Sequence, residues 1–132
     1  MNVLIVDDSA MTRVILKRNL IAVGVREEEI VEAENGEKGL ARFETFHCRA
    51  VITDWRMPVM DGLTFVKELR KRDSKVHIIM LTAANERGDV VAAIESGVTD
   101  YLIKPFEPAD MRKKLLTMLA RIESSKAQLC AT

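Results

Sequence analysis

The sequence predicts an α/β fold, a doubly wound parallel sheet of five strands accompanied by five helices. Three observations carry this. Strand-like and helix-like patterns alternate five times along the 132 residues. Two runs, Val51-Ile52-Thr53-Asp54 and His77-Ile78-Ile79-Met80-Leu81-Thr82, are apolar almost throughout, the pattern of strands buried on both faces of a parallel sheet. Parallel strands joined by helices need right-handed crossovers, which cover both faces of the sheet.

The elements follow in order. Asn2 to Asp7 is the first strand. Ser9 caps the helix behind it, where Leu16, Leu20 and Val23 fall at i, i+4 and i+7, Ile15 widens the stripe and Gly24 ends it. Glu29 to Glu34 mixes Ile30, Val31 and Ala33 with Glu32, which suits a strand near a sheet edge. Asn35-Gly36 is a turn and cap signal, and Leu40 and Phe43 mark the inner face of the second helix. The third strand is Val51 to Asp54; Asp61-Gly62 begins a helix that turns Phe65, Val66 and Leu69 inward. The fourth strand is His77 to Thr82; Asn85 caps the next helix, Val90, Val91 and Ile94 supply its apolar side, and Gly97 stops it. Asp100 to Ile103 is the last strand, ended by Lys104-Pro105. Pro108 suits the first position of a helix in which Met111, Leu115, Met118 and Ile122 share a face. The expected organisation is one domain over residues 1–123 and a flexible tail over 124–132.

A chain of this length, 48% hydrophobic, can fill a single core. Lys plus Arg equals Asp plus Glu at 20 each, which argues against a general binder of nucleic acid or anionic membrane. Cys48 and Cys130 are too few for a disulfide framework. There is no charged-then-apolar leader and no apolar run of membrane-spanning length. The expectation is a soluble, cytoplasmic protein with reduced thiols.

Of the two common doubly wound orders, five strands fit 2-1-3-4-5, with strands one and three adjacent at the switch point where such sheets bind ligands. Asp7, Asp8 and Asp54 then converge. Three carboxylates in one cleft repel one another and call for a cation, and oxygen ligands suit Mg²⁺. An isolated Asp7 or Asp61 reads more simply as a turn former or cap; Asp8 together with Asp54, each ending an apolar strand, reads as a site. Thr82 and Lys104 end strands four and five, adding a hydroxyl and an ammonium where a phosphoryl group would be charge-matched. Asp8-Ser9-Ala10 after the first strand is neither a dinucleotide fingerprint nor a phosphate-binding glycine loop, which argues against nucleotide binding. His47 and His77 lack acid or cysteine neighbours at metal-ligand spacing and read as surface or strand residues.

Val6-Asp7-Asp8 after strand one, Asp54-Trp55-Arg56-Met57-Pro58-Val59-Met60-Asp61-Gly62, Thr82-Ala83 and Lys104-Pro105-Phe106 together resemble the receiver domain of bacterial two-component response regulators, in its single-domain, CheY-like form. The resemblance spans about residues 2–122, and the 2-1-3-4-5, flavodoxin-like order is itself a known feature of that family. It implies that Asp54 accepts a phosphoryl group from the phosphohistidine of a sensor kinase. It also implies Mg²⁺ held by Asp8, Asp54 and the Arg56 carbonyl, with Asp7 ligating directly or through water, and phosphoryl oxygens bound by Thr82 and Lys104. In similar proteins the Lys104-Pro105 bond is cis, which places the lysine. Such chemistry, a carboxylate nucleophile beside a divalent cation, agrees with the residues themselves.

The resemblance further implies a switch in which Thr82 moves and Tyr101 turns inward, against the plainer reading of Tyr101 as a ring at the sheet edge. The output face would be helix four, strand five and helix five, with Val90, Ile94, Tyr101 and Ile103 as apolar contacts and Lys114 and Arg121 at the rim. Arg56 and Ala84 occupy the positions that set kinetics in this family, and Ala84 lacks the acid of some motor-binding relatives. Such a protein catalyses only its own phosphoryl transfer and dephosphorylation. The expected partner is the flagellar motor switch, in chemotaxis, with no output module after helix five and no direct nucleic-acid contact. The alternative is a relay to a histidine phosphotransfer protein through Ala10, Met11 and Val14. The expected state is a monomer, with dimerisation on activation left open. A phosphatase resembling haloacid dehalogenases fits less well, because its Asp-x-Asp after strand one is replaced by adjacent Asp7-Asp8. An inert pseudo-receiver is disfavoured by a complete set of site residues.

Overall fold

The computed structural model describes residues 1–83 and 87–131, the side chains of 87–89 and 125–131 excepted. The elements are β1 (Val3–Val6), α1 (Ala10–Ala22), β2 (Ile30–Ala33), α2 (Gly36–Phe46), β3 (Ala50–Asp54), α3 (Gly62–Arg72), β4 (His77–Ala83), α4 (Arg87–Ser96), β5 (Asp100–Lys104) and α5 (Pro108–Ala131), with a 3-10 turn at Glu27–Glu29. All strands pair parallel in the order β2-β1-β3-β4-β5, the expected doubly wound, flavodoxin-like arrangement.

The helix starts follow from local chemistry. Each of three caps satisfies a backbone N–H that the helix cannot. The Ser9 hydroxyl accepts from the Thr12 N–H at 3.3 Å, the Asn35 side chain from Lys38 at 2.9 Å and the Asp61 carboxylate from Thr64 at 2.8 Å. Gly24 and Gly97, at φ 106° and 109°, turn the chain out of α1 and α4 in a conformation that side chains disfavour. Asn85, expected to cap α4, lies outside the described residues, as do Ala84 and the Cys130 side chain.

Strand alternation divides the core into two layers. One face of the sheet presents Val3, Ile5, Ile52, Ile79, Leu81 and Leu102 to Leu16 and Leu20 of α1 and to Met111, Leu115, Met118 and Ile122 of α5. The other presents Leu4, Val6, Val51, Ile78 and Met80 to Phe43 of α2, Phe65, Val66 and Leu69 of α3, and Ala93 of α4. The partly polar β2 lies at the edge, as Glu32 implied. Arg70 ties the second layer together: its guanidinium donates to the Gly97 carbonyl at 2.9 and 2.7 Å and to the Val76 carbonyl at 2.7 Å, joining α3 to the end of α4 and the approach to β4.

Several expectations need correction. Ile15 is 39% exposed and does not widen the buried stripe of α1, because Leu16 and Leu20 already fill the space against the sheet. Val91 and Ile94 are 56% and 57% exposed; α4 turns the smaller Ala93 fully inward, with Val90 partly buried. The first strand is shorter than Asn2 to Asp7, whereas β4 and β5 run one residue further than expected. The α5 backbone runs to Ala131.

A Cβ at Gly62 would lie 2.7 Å from both the Asp54 carbonyl oxygen and the Trp55 Cα, so backbone would have to move. Gly62→Ala is therefore expected to lower stability by about 2 kcal/mol in urea denaturation. A loss below about 0.5 kcal/mol, the range of neutral surface changes, would contradict this packing.

Candidate functional site

β1, β3, β4 and β5 deliver their last residues to one edge of the sheet, with Val6 beside Thr53, Asp54 beside Leu81 and Ala83 beside Lys104. Asp7 follows β1 directly and is fully buried. Its Oδ1 accepts the Ser9 N–H at 2.8 Å, and its main-chain carbonyl accepts from the Arg13 guanidinium at 2.6 Å. Asp54 ends β3; its Oδ1 accepts its neighbour Trp55's N–H at 2.8 Å, and its Oδ2 accepts from the Lys104 ammonium at 3.2 Å. The same ammonium stands 3.5 Å from Asp7 Oδ2. That is an ion-pair distance, yet the buried oxygen receives no hydrogen bond. Asp8 is exposed at the mouth. One carboxylate oxygen from each of Asp7, Asp8 and Asp54 lies within 4.8 Å of the others.

This cluster fits a hard divalent cation. Among the described residues, three carboxylates against one ammonium leave an excess of two negative charges, all the candidate donors are oxygens, and a buried oxygen lacks a donor. The electrostatics say the same. Burial pushes the Asp7 carboxyl above its ordinary range; the Ser9 N–H opposes this, and the Asp54 charge adds to it.

Thr82, 2% exposed, stands one residue beyond the Asp54–Leu81 pair, and its hydroxyl reaches the Ala83 carbonyl at 3.4 Å. Arg56 is exposed in the loop two residues past Asp54. The Lys104-Pro105 bond is cis. By alternation Thr82 and Tyr101 lie on the same face of the sheet, that of α2, α3 and α4, where Tyr101 is half-buried. Ile94 and Ile103 are 57% and 45% exposed on the α4 and β5 surface.

Sequence reasoning missed the main-chain and helix groups that fix these side chains. Arg13, whose position one turn into α1 was its only signal, grips the main chain at Asp7. Lys114 was read as a charged rim residue. Its ammonium stands 4.4 Å from the centroid of the Tyr101 ring, donates to the Tyr101 carbonyl and pairs with Asp100 at 3.1 Å. His47 and His77 lie away from the acids, at the opposite edge of the sheet, where with Cys48 they line a hollow of about 710 Å³. Burial pushes the Cys48 thiol up to about 11, so it is no nucleophile at neutral pH.

A carboxyl whose folded-state pKa is raised adds stability below its unfolded pKa and loses it as pH rises through the folded one. Without metal, ionising the buried Asp7 thus costs stability. Asp7→Asn is expected to raise the urea midpoint in EDTA and to respond to added Mg²⁺ with a smaller rise than the wild type. A lower midpoint in EDTA would contradict the charge assignment.

The pattern of the response regulator receiver domain matches residues 3–116. Chemotaxis protein CheY1 of Helicobacter pylori is 37% identical over 122 residues, covering 90% of this chain and 97% of that protein. The protein ycf27 of Porphyridium aerugineum, whose name describes a transcriptional regulator, is 35% identical over 125 residues, covering 95% of this chain but only 50% of its own length. The chain thus spans about half of one kind of relative and nearly all of the other. The structure of chemotaxis protein CheY4 of Vibrio cholerae superposes with a TM-score of 0.79 at 32% identity, over 89% of this chain and 97% of that one.

Proposed function

Because the chain belongs to the response regulator receiver domain family, we propose that it is a phosphoacceptor of a two-component system that takes a phosphoryl group onto Asp54. The observation that supports this most directly is the Asp54 carboxylate held between the Trp55 N–H and the Lys104 ammonium, beside two further carboxylates. A carboxylate oxygen of Asp54 attacks the phosphorus of a sensor kinase's phosphohistidine; the P–N bond breaks, its electron pair returns to the imidazole, and an acyl phosphate forms. Lys104 meets the charge on the transferred group, and Thr82 at the same edge donates its hydroxyl to a phosphoryl oxygen. Asp7, Asp8, Asp54 and the Arg56 carbonyl would hold Mg²⁺, which when bound neutralises negative charge on the entering group. The protein is a signalling partner, and the only reactions assigned to it are its own phosphorylation and dephosphorylation.

The signal leaves through α4, β5 and α5. Val91, Ile94 and Ile103 are exposed there, beside Val90 and Tyr101, with Lys114 and Arg121 at the rim. Tyr101 shares a sheet face with Thr82, so a movement of the hydroxyl toward a phosphoryl group opens space on the tyrosine's side. Likeness to CheY1 over nearly its whole length favours a chemotaxis role, with the motor switch as target. One observation favours a second reading, relay to a histidine phosphotransfer protein: Met11 and Val14 of α1 are 71% and 43% exposed beside Ala10, next to the acids. The receiver is assigned to residues 1–123 and a cytoplasmic setting; among the described residues no helix is long and apolar enough to cross a membrane.

With acetyl phosphate and Mg²⁺, intact-mass spectrometry is expected to find one phosphoryl group on the wild type and none on Asp54→Asn. Lys104→Ala is expected to accept the group while the Tyr101 ring signals in NMR stay in the unphosphorylated position. Stable phosphate on the Asn variant would overturn the site.

A further inference from the structure

The turn that joins β1 to α1 carries two of the three acids, and a cation of α1 holds its main chain. Arg13 stands one turn into the helix, where its own N–H bonds to the Ser9 carbonyl at 3.1 Å. From there one arm of its guanidinium donates to the Asp7 carbonyl at 2.6 Å, and its Nε stands 3.3 Å from the Glu32 carboxylate of β2. The Asp7 N–H donates to the Ala33 carbonyl of β2 at 3.1 Å. Both main-chain groups of Asp7 are thus held, the N–H by the edge strand and the carbonyl by a side chain that the same strand braces.

The carbonyl that Arg13 grips belongs to the peptide joining Asp7 to Asp8. A peptide group is planar, so fixing the direction of its carbonyl also fixes where the Asp8 nitrogen and Cα lie. The Asp7 carboxylate has the Ser9 N–H to orient it, whereas Asp8 stands exposed at the mouth. Even so, one oxygen of Asp8 lies within 4.8 Å of an oxygen of Asp7 and of Asp54, an approach that like charges oppose. We propose that Arg13 is a positioning residue for the metal site: braced by Glu32, it fixes the Asp7–Asp8 peptide and so holds the Asp8 carboxylate beside Asp7 at the spacing a cation needs. Groups that orient metal ligands from behind typically carry roughly ten- to hundredfold in metal affinity. The expected sign is opposite to that of charge alone. A cation near three acids competes with Mg²⁺, so removing Arg13 tightens metal binding if Coulomb repulsion is its whole effect. The inference rests on the reading of the acids as an Mg²⁺ site.

The test is titration of Mg²⁺ into the wild type, Arg13→Met, Arg13→Lys and Glu32→Gln, followed through the Asp8 and Trp55 amide signals in NMR, with urea denaturation of each in EDTA. Arg13→Met is expected to bind Mg²⁺ about tenfold more weakly. Arg13→Lys keeps the charge but offers a single ammonium in place of the guanidinium fork. It is expected to bind about threefold more weakly, and it carries the test if the Met variant does not fold. Glu32→Gln removes the ion pair but keeps an acceptor for Nε, and is expected to match the wild type. Unchanged or tighter Mg²⁺ binding in the Arg13 variants, whatever their urea midpoints, would overturn the inference, because the grip would then serve the fold alone. A loss in Glu32→Gln as large as that in Arg13→Met would overturn it too, since the ion pair rather than the grip would set the site. A wild type whose signals ignore Mg²⁺ would instead remove the metal-site reading, and the inference with it.

Discussion

Repulsion among three carboxylates gathered at one sheet edge is the constraint around which the rest of the structure is arranged. One of them, Asp7, is fully buried, and among the described residues a single ammonium, Lys104, faces it and Asp54. Such a cluster persists only where rigid elements enforce it and where a cation can relieve it. The parallel sheet does the first. Neighbouring strands in fixed register bring Asp7, Asp54 and Lys104 together, and both faces are sealed by helices so that the strand ends cannot drift. Main-chain donors then fix two of the three carboxylates, Ser9 for Asp7 and Trp55 for Asp54.

In the proposed mechanism the same sheet gives the site an outlet. Thr82 and Tyr101 stand on the face covered by α4, where among its described side chains Ala93 alone is fully buried while Val91 and Ile94 face outward. Its carboxyl end is anchored through Arg70 to α3. A helix with a small buried face, fixed at one end, is a fitting element for a local charge change to bias. Lys114, over the Tyr101 ring and paired with Asp100, sits where it would feel any rotation of that ring.

Much of this was legible in the sequence, because the signals were physical ones that tertiary context does not override. Continuous apolar runs ending in Asp54 and Thr82 named the central strands, and the caps Ser9, Asn35 and Asp61 named helix starts. The register that gathers Asp7, Asp8, Asp54 and Lys104 followed from strand order. Where reading failed, hydrophobicity was taken for burial. Val91 and Ile94 outrank Ala93 on any apolar scale, yet the tight approach to the sheet selects the small side chain. The left-handed φ of Val59, 71°, could not be foreseen, since nothing in a valine marks such a turn. Nor could the grip of Arg13 on the Asp7 carbonyl, a contact between a helix and a strand end that no periodicity encodes.

Trp55, 7% exposed and hydrogen-bonded through its N–H to Asp54, is a built-in reporter of the proposed acceptor. The most direct measurement is its fluorescence during titration with Mg²⁺ and then acetyl phosphate, in the wild type and in Asp54→Asn. The account predicts a change with Mg²⁺ and then a further reversible change with the phosphodonor that the Asn variant lacks. Emission indifferent to both reagents, or a phosphodonor response shared by the Asn variant, would contradict it.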